Sequence, residues 1–153
     1  MSDRSGNFDI WVLSVAGGEP RQLTTHPAFE SAPYWAPDGK WISFLSTRSG
    51  PGSIWRMPAA GGPAARVTAD QGQISIVGWS PDAQAIHFIE ETGLRAVTVA
   101  DGRVRSTMSF RGRHGTFVAT SGSAVSRDGR FAYFIWREDQ GDIWLMDVAR
   151  GAP

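Results

Sequence analysis

The chain has 153 residues, 41% hydrophobic and 20% charged, the composition of a folded domain and not of a disordered one. Fifteen Lys+Arg balance fifteen Asp+Glu, so the chain lacks the basic field that a nucleic-acid binder needs, and no apolar run approaches the roughly 18 residues of a membrane span. Cysteine is absent, which excludes disulfides and thiolate metal sites.

Met1 to Asn7 is polar and lacks the apolar core of a signal peptide, which favours the cytoplasm; a truncated N-terminus would leave the periplasm open. Extended segments are predicted near Phe8–Val15 and Glu19–Thr24, on either side of Gly17-Gly18. Ser31 to Trp35 is a further short strand, closed by the turn residues Pro37-Asp38-Gly39. Lys40 to Ser46 alternates with period two, which puts Trp41, Ser43 and Leu45 on one face and Ile42 and Phe44 on the other. Ser53–Met57 and Ala64–Thr68 follow, separated by Gly61-Gly62-Pro63. Towards the C-terminus, strands are predicted near Val118–Ser126, Arg130–Trp136 and Asp142–Val148. Nowhere does a 3.6-residue period persist over ten residues, so helix is expected to be nearly absent.

These segments are copies of one unit. Trp35-Ala36-Pro37-Asp38-Gly39-Lys40 returns after about 44 residues as Trp79-Ser80-Pro81-Asp82-Ala83-Gln84, and after about 46 more as Val125-Ser126-Arg127-Asp128-Gly129-Arg130. A second marker, Ile-Trp, places Trp11, Trp55 and Trp144 at one phase of the unit, with Arg95-Ala96-Val97 as its decayed copy. A third, Arg21-Gln22-Leu23-Thr24 and Arg66-Val67-Thr68, follows a Gly-Gly pair each time. Such a period fits a four-stranded propeller blade.

The expected fold is therefore all-β: a partial β-propeller of about three four-stranded antiparallel blades in one segment, 1–153. Residues 1–26 form the tail of a blade, 27–70 and 71–113 are blades, and 114–153 is an incomplete blade. The strands number two, four, four and three in turn, thirteen in all. In the Pro-Asp-Gly turn, glycine accepts a left-handed backbone; if Ala83 must do the same, it carries about 1 kcal/mol of strain. Propellers close with about four or more blades, so this segment either continues in a longer protein or completes its ring with another copy.

The tandem Trp-[Ser/Ala]-Pro-Asp-Gly-Lys units resemble the TolB-type propeller repeat over Ser2 to Val148. Within that group, Gly17 to Thr24 and Met57 to Gly62 look like the propeller of the prolyl oligopeptidase family, the acylaminoacyl- and dipeptidyl-peptidases in particular. In those enzymes the propeller caps a separate α/β-hydrolase domain that holds the catalytic triad. The resemblance thus implies a filter or scaffold. For the TolB type it implies protein partners in the bacterial envelope.

No catalytic constellation is apparent. No serine is flanked by glycines in the G-x-S-x-G pattern of a hydrolase nucleophile. His26, His87 and His114 are far apart and show no metal-ligand spacing; His87, between Ile86 and Phe88, is expected to face away from both. No cofactor is implied. Two pairs are candidate ligand contacts. Glu90-Glu91 has the charge to hold an ammonium group, as a paired glutamate does in dipeptidyl-peptidase propellers, although acids at a strand end are also simply solvated. Arg111 and Arg113 flank Gly112 in a basic loop that fits an anion or plain solvent. Trp11, Trp55 and Trp144, at one phase, fit packing between blades better than a ligand platform.

The expected function is a non-catalytic propeller module that presents loops to a protein or peptide. One alternative is the substrate-gating propeller of a prolyl oligopeptidase-type serine peptidase, whose hydrolase domain is not in this chain. Another is a partial propeller that closes its ring as a homo-oligomer.

Overall fold

A computed structural model describes residues 6–69, 72–112, 114–118, 123–137 and 144–147. All regular structure among them is β. Strands β1 (Trp11–Val12) and β2 (Arg21–Gln22) form a short ladder. The first full blade is β3 (Glu30–Trp35), β4 (Trp41–Ser46), β5 (Ser53–Pro58) and β6 (Ala65–Arg66), antiparallel and in chain order. The second repeats that plan with β7 (Ser75–Trp79), β8 (Ala85–Glu90), β9 (Gly93–Thr98) and β10 (Val104–Ser109).

A third sheet holds β11 (Thr116–Val118), β12 (Ala124–Val125), β13 (Phe131–Arg137) and β14 (Trp144–Asp147). Here the described strands differ from the thirteen expected. β11 pairs with Ile135–Arg137 and β12 with Ala132–Tyr133, so two short segments stand where one first strand was expected. Strands β3, β7 and β12 are neighbours and form the inner rim of the array.

The repeat markers are local hydrogen-bonding devices. Asp38, Asp82 and Asp128 accept the N–H of the residue two positions on, at 2.9, 3.0 and 3.1 Å, and so set the tight turn. Ser80 and Ser126 tighten it further. Each hydroxyl donates to the aspartate at 2.6 Å and accepts a backbone N–H across the hairpin, from Ala85 and Phe131, at 2.9 Å. Gly39 and Gly129 both have φ of 71°, and Ala83 is held at 57° in the same left-handed region. The strain expected of alanine there is thus present. The closing threonines act likewise: Thr24 and Thr68 accept the N–H of Ile10 and Ile54, each at 2.9 Å, and tie the end of the unit to its Ile-Trp strand.

Alternation then assigns the faces. Ile42, Phe44 and Met57 pack with Ile10 towards β1 and β2, while Trp41 and Leu45 turn the other way. On that side they join Ile54 and Val67 against Ile76, Trp79, Ile86, Phe88 and Val97 of the second blade. Val77, Ile89 and Leu94 leave the opposite face of the second blade to meet Ala132, Phe134 and Trp136 of the third. Each large apolar side chain sealed in this way contributes roughly 1.5–3 kcal/mol. On the far face of β13, Tyr133 and Ile135 remain exposed.

One buried charge interrupts this apolar plan. Glu30, fully buried at the start of β3, pairs with Arg48, whose guanidinium lies 4.6 Å from the Trp55 ring centroid. Arg48 also donates to Ser46 Oγ at 3.0 Å.

Candidate functional site

The inner rim carries a cavity of about 460 Å³ at the end of the blades where the Pro-Asp turns lie. Tyr34 and Trp35 come from the end of β3, Gly78 and Trp79 from the end of β7, and Val125 from β12; the turns add Pro37, Pro81 and Arg127. Each inner strand reaches this point through an irregularity or a break. The β3–β4 register shifts between Ser31 and Tyr34, where Ala32 has φ of 49°, and the β7–β8 register shifts at the matching phase, between Ile76 and Gly78. Such bulges bend a strand and re-aim the side chains that follow.

Two hydrogen bonds fix the walls. Trp79 Nε1 donates to the Tyr34 carbonyl at 3.1 Å, and the Tyr34 hydroxyl donates to the Ser123 carbonyl at 3.2 Å. Burial raises the Tyr34 phenol above its ordinary value, which keeps it a donor. The third turn is seated by contact. A Cβ on Gly129 would lie 2.9 Å from Pro81 Cδ, so only glycine fits there as well as turning the chain. Among the described residues, Arg127 is exposed, is the one charged side chain lining the cavity, and has no hydrogen-bond or ion-pair partner.

A smaller cavity of about 340 Å³ lies between the second and third blades, lined by His87, Arg105, Thr107, Asp82 and Asp128 among others. His87 Nδ1 and Thr107 Oγ1 are buried without a partner among the described residues. Burial lowers the His87 pKa, the Arg105 charge lowers it further, and Asp82 opposes them more weakly. The ring is therefore neutral at pH 7. As alternation required, His87 faces away from Ile86 and Phe88, which pack on the first blade.

The residues singled out in the sequence lie elsewhere. Glu90 ends β8, at the opposite end of the second blade from the Pro-Asp turn. Its Oε1 accepts Thr92 Oγ1 at 2.6 Å and Arg95 Nε at 2.8 Å. Burial pushes its pKa up, but those bonds and the Arg95 charge outweigh it and leave the carboxyl below its ordinary value. Its carboxylate is thus held within its own blade. Glu91 is exposed beside it, and Arg111 is exposed just beyond β10 at the same end, where Ser109 registers against Gly93. Arg113 lies outside the described residues, as does the Trp144 side chain. Trp11 and Trp55 are half-buried, with indole N–H groups that are buried and unpartnered among the described residues. His26 and His114 are exposed.

Sequence reasoning passed over Arg127. The available signal was a departure from the repeat: position 127 holds arginine where 37 and 81 hold proline, and position 125 holds valine where 35 and 79 hold tryptophan.

Blades of four antiparallel strands in chain order, stacked face to face about an inner rim, define a β-propeller. The tricorn protease N-terminal β-propeller domain family matches residues 6–101, more than half of the chain, and the chain belongs to that family. An uncharacterized protein of Escherichia coli (strain K12), YidR, is 44% identical over 46 residues, which are 29% of this chain and 11% of that protein. Among solved structures, TolB from Acinetobacter baumannii superposes with a TM-score of 0.75 at 20% identity, over 94% of this chain and 36% of TolB. A puromycin-hydrolyzing peptidase of Mycobacterium tuberculosis gives a TM-score of 0.59 at 12% identity, over 90% of this chain and 22% of the peptidase. The tricorn protease itself gives 0.58 at 11% identity, over 84% of this chain and 12% of the protease. The chain therefore spans a minor part of each, and likeness at these identities establishes the fold alone.

Proposed function

We propose that this propeller segment is a binding module, which takes a short peptide segment of a partner protein in the cavity at its inner rim and supplies no catalytic group. The observation that carries this reading is the lining: Tyr34, Trp35, Pro37 and Pro81 converge from two blades on one concave surface, and Trp35 is 53% exposed there. Rigid aromatic and proline surfaces bind chain segments at low entropic cost. The sequence supports the non-catalytic part, since it holds no hydrolase nucleophile motif.

The test is selection of displayed heptapeptides on the chain, followed by binding of the selected peptides to Trp35→Ala. Trp35 is exposed, so its removal leaves the fold intact. We expect selected peptides to lose at least tenfold in affinity. Unchanged affinity would sink the reading.

A second reading, in which the segment gates a peptidase domain elsewhere in a longer polypeptide, draws support from membership of a protease propeller family. The intact mass of the native polypeptide decides it. A mass near 16.6 kDa would exclude that arrangement, and one larger by a hydrolase domain would favour it.

A further inference from the structure

We propose that Arg127 determines the specificity of the inner-rim cavity, and that the peptide it selects carries an acidic side chain next to an apolar one. This rests on the peptide-binding reading given above.

The argument starts from the repeat. The third turn keeps the two residues that make the turn, Asp128 and Gly129, with the same aspartate-to-backbone bond and the same φ as Asp38 and Gly39. It changes the two that face the cavity. Valine at 125 replaces the indole found at 35 and 79, and arginine at 127 replaces the proline found at 37 and 81. Divergence has thus spared the scaffold of the turn and altered its cavity side, at one location, by removing bulk and adding charge.

That charge is uncommitted. Arg48 and Arg95 are held by Glu30 and Glu90, and the guanidinium groups of Arg56 and Arg130 lie over the rings of Trp41 and Phe131. Among the described residues, Arg127 has no such partner and no carboxylate lines the cavity with it. A guanidinium beside an apolar wall is suited to a carboxylate, which it grips by two parallel charge-assisted bonds.

Depth decides which carboxylate. Arg127 is exposed at the rim, whereas Trp79 is only 7% exposed. The charge therefore stands at the mouth with the exposed Trp35 indole, while Trp79 is the more sheltered part of the apolar lining. A segment whose acidic side chain crosses the rim can place its apolar neighbour inward. A free chain terminus entering the cavity would carry its carboxylate past Arg127.

The experiment is the heptapeptide selection again, with every peptide fused at its C-terminus so that no terminal carboxylate is free. It is run on wild type, Arg127→Pro and Arg127→Gln. Proline occupies this turn position in the other two blades, and glutamine keeps the length of the side chain without its charge. Unchanged far-UV circular dichroism and melting temperature certify the fold of each variant. On wild type we expect Asp or Glu enriched at least fivefold over library frequency, beside an aromatic residue or leucine. Both variants should lose the acidic enrichment and keep the apolar one. Apolar enrichment without acidic bias on wild type would overturn this inference and leave the peptide-binding reading standing. Acidic bias that survives in both variants would remove Arg127 from the role. No enrichment on any of the three would overturn both readings.

Discussion

The two full blades follow one plan and solve it differently. Trp35 and Trp79 open the same turn, yet Trp35 is 53% exposed and Trp79 only 7%. Trp79 packs against the blade before it and its indole donates to the Tyr34 carbonyl, while the Trp35 indole donates, among the described residues, to Gly39 of its own turn. The ion pairs, which stand at different phases of the unit, also differ in burial. Glu30 is fully buried and held by Arg48, whereas Glu90 and Arg95 are partly open to solvent. A repeat therefore fixes where a side chain stands in its blade, and the neighbouring blade fixes what that position is worth.

The sharpest break of this comparison is at the tryptophans. Trp79→Ala should cost about 3–5 kcal/mol by urea denaturation, and Trp35→Ala less than about 1 kcal/mol. Equal losses would mean that the neighbouring blade contributes nothing. Next come the ion pairs. Arg48→Ala strands a buried carboxylate and should destabilise by about 3–5 kcal/mol, near the full cost of a broken buried pair. Arg95→Ala, at a solvated pair, should fall within about 1 kcal/mol, and only its effect should shrink in high salt.

The turns give a smaller contrast of opposite sign. Gly39→Ala places a methyl group in open space at φ of 71°, so only backbone strain opposes it, and a loss of about 1 kcal/mol is expected. Ala83→Gly relieves that same strain but loosens the unfolded chain, leaving a net gain of about 0.5 kcal/mol, readable as a higher melting temperature.

The last contrast exists only in acid. Ser43 in the first blade corresponds to His87 in the second, and only the histidine titrates. Its folded pKa lies below the ordinary 6.5, so the unfolded chain binds the proton first as pH falls. Its contribution is complete above pH 6.5 and is lost as pH falls through the folded value. His87→Leu should flatten the stability profile across that window and leave the carboxylate-driven losses at lower pH unchanged.

Much of the fold was legible because the repeat is written in turn chemistry. The aspartate of each turn, the serine of the second and third and the glycine of the first and third act within five residues of sequence, and period-two alternation in β4 assigned both faces of the first blade. The left-handed strain at Ala83 followed from its phase alone. What joins one blade to another was not legible. That β11 and β12 stand where one strand was expected has no local marker, and the burial of His87 depends on a neighbouring sheet. The cavity is built from residues whose nearness no spacing announces, so Arg127 read as decay of a motif, and the hold of Arg95 on Glu90 was likewise not legible.

The bond from the Tyr34 hydroxyl to the Ser123 carbonyl spans 89 residues, whereas every described ladder joins segments close in sequence. Folding should therefore run in two stages. Hairpins form first, within about 1–10 μs each, because their loops are short. Docking of the inner strands comes later, since only then is the entropy of the long loop spent. Tyr34→Phe removes that latch without disturbing any hairpin, and should leave the early phase of refolding intact while it speeds unfolding.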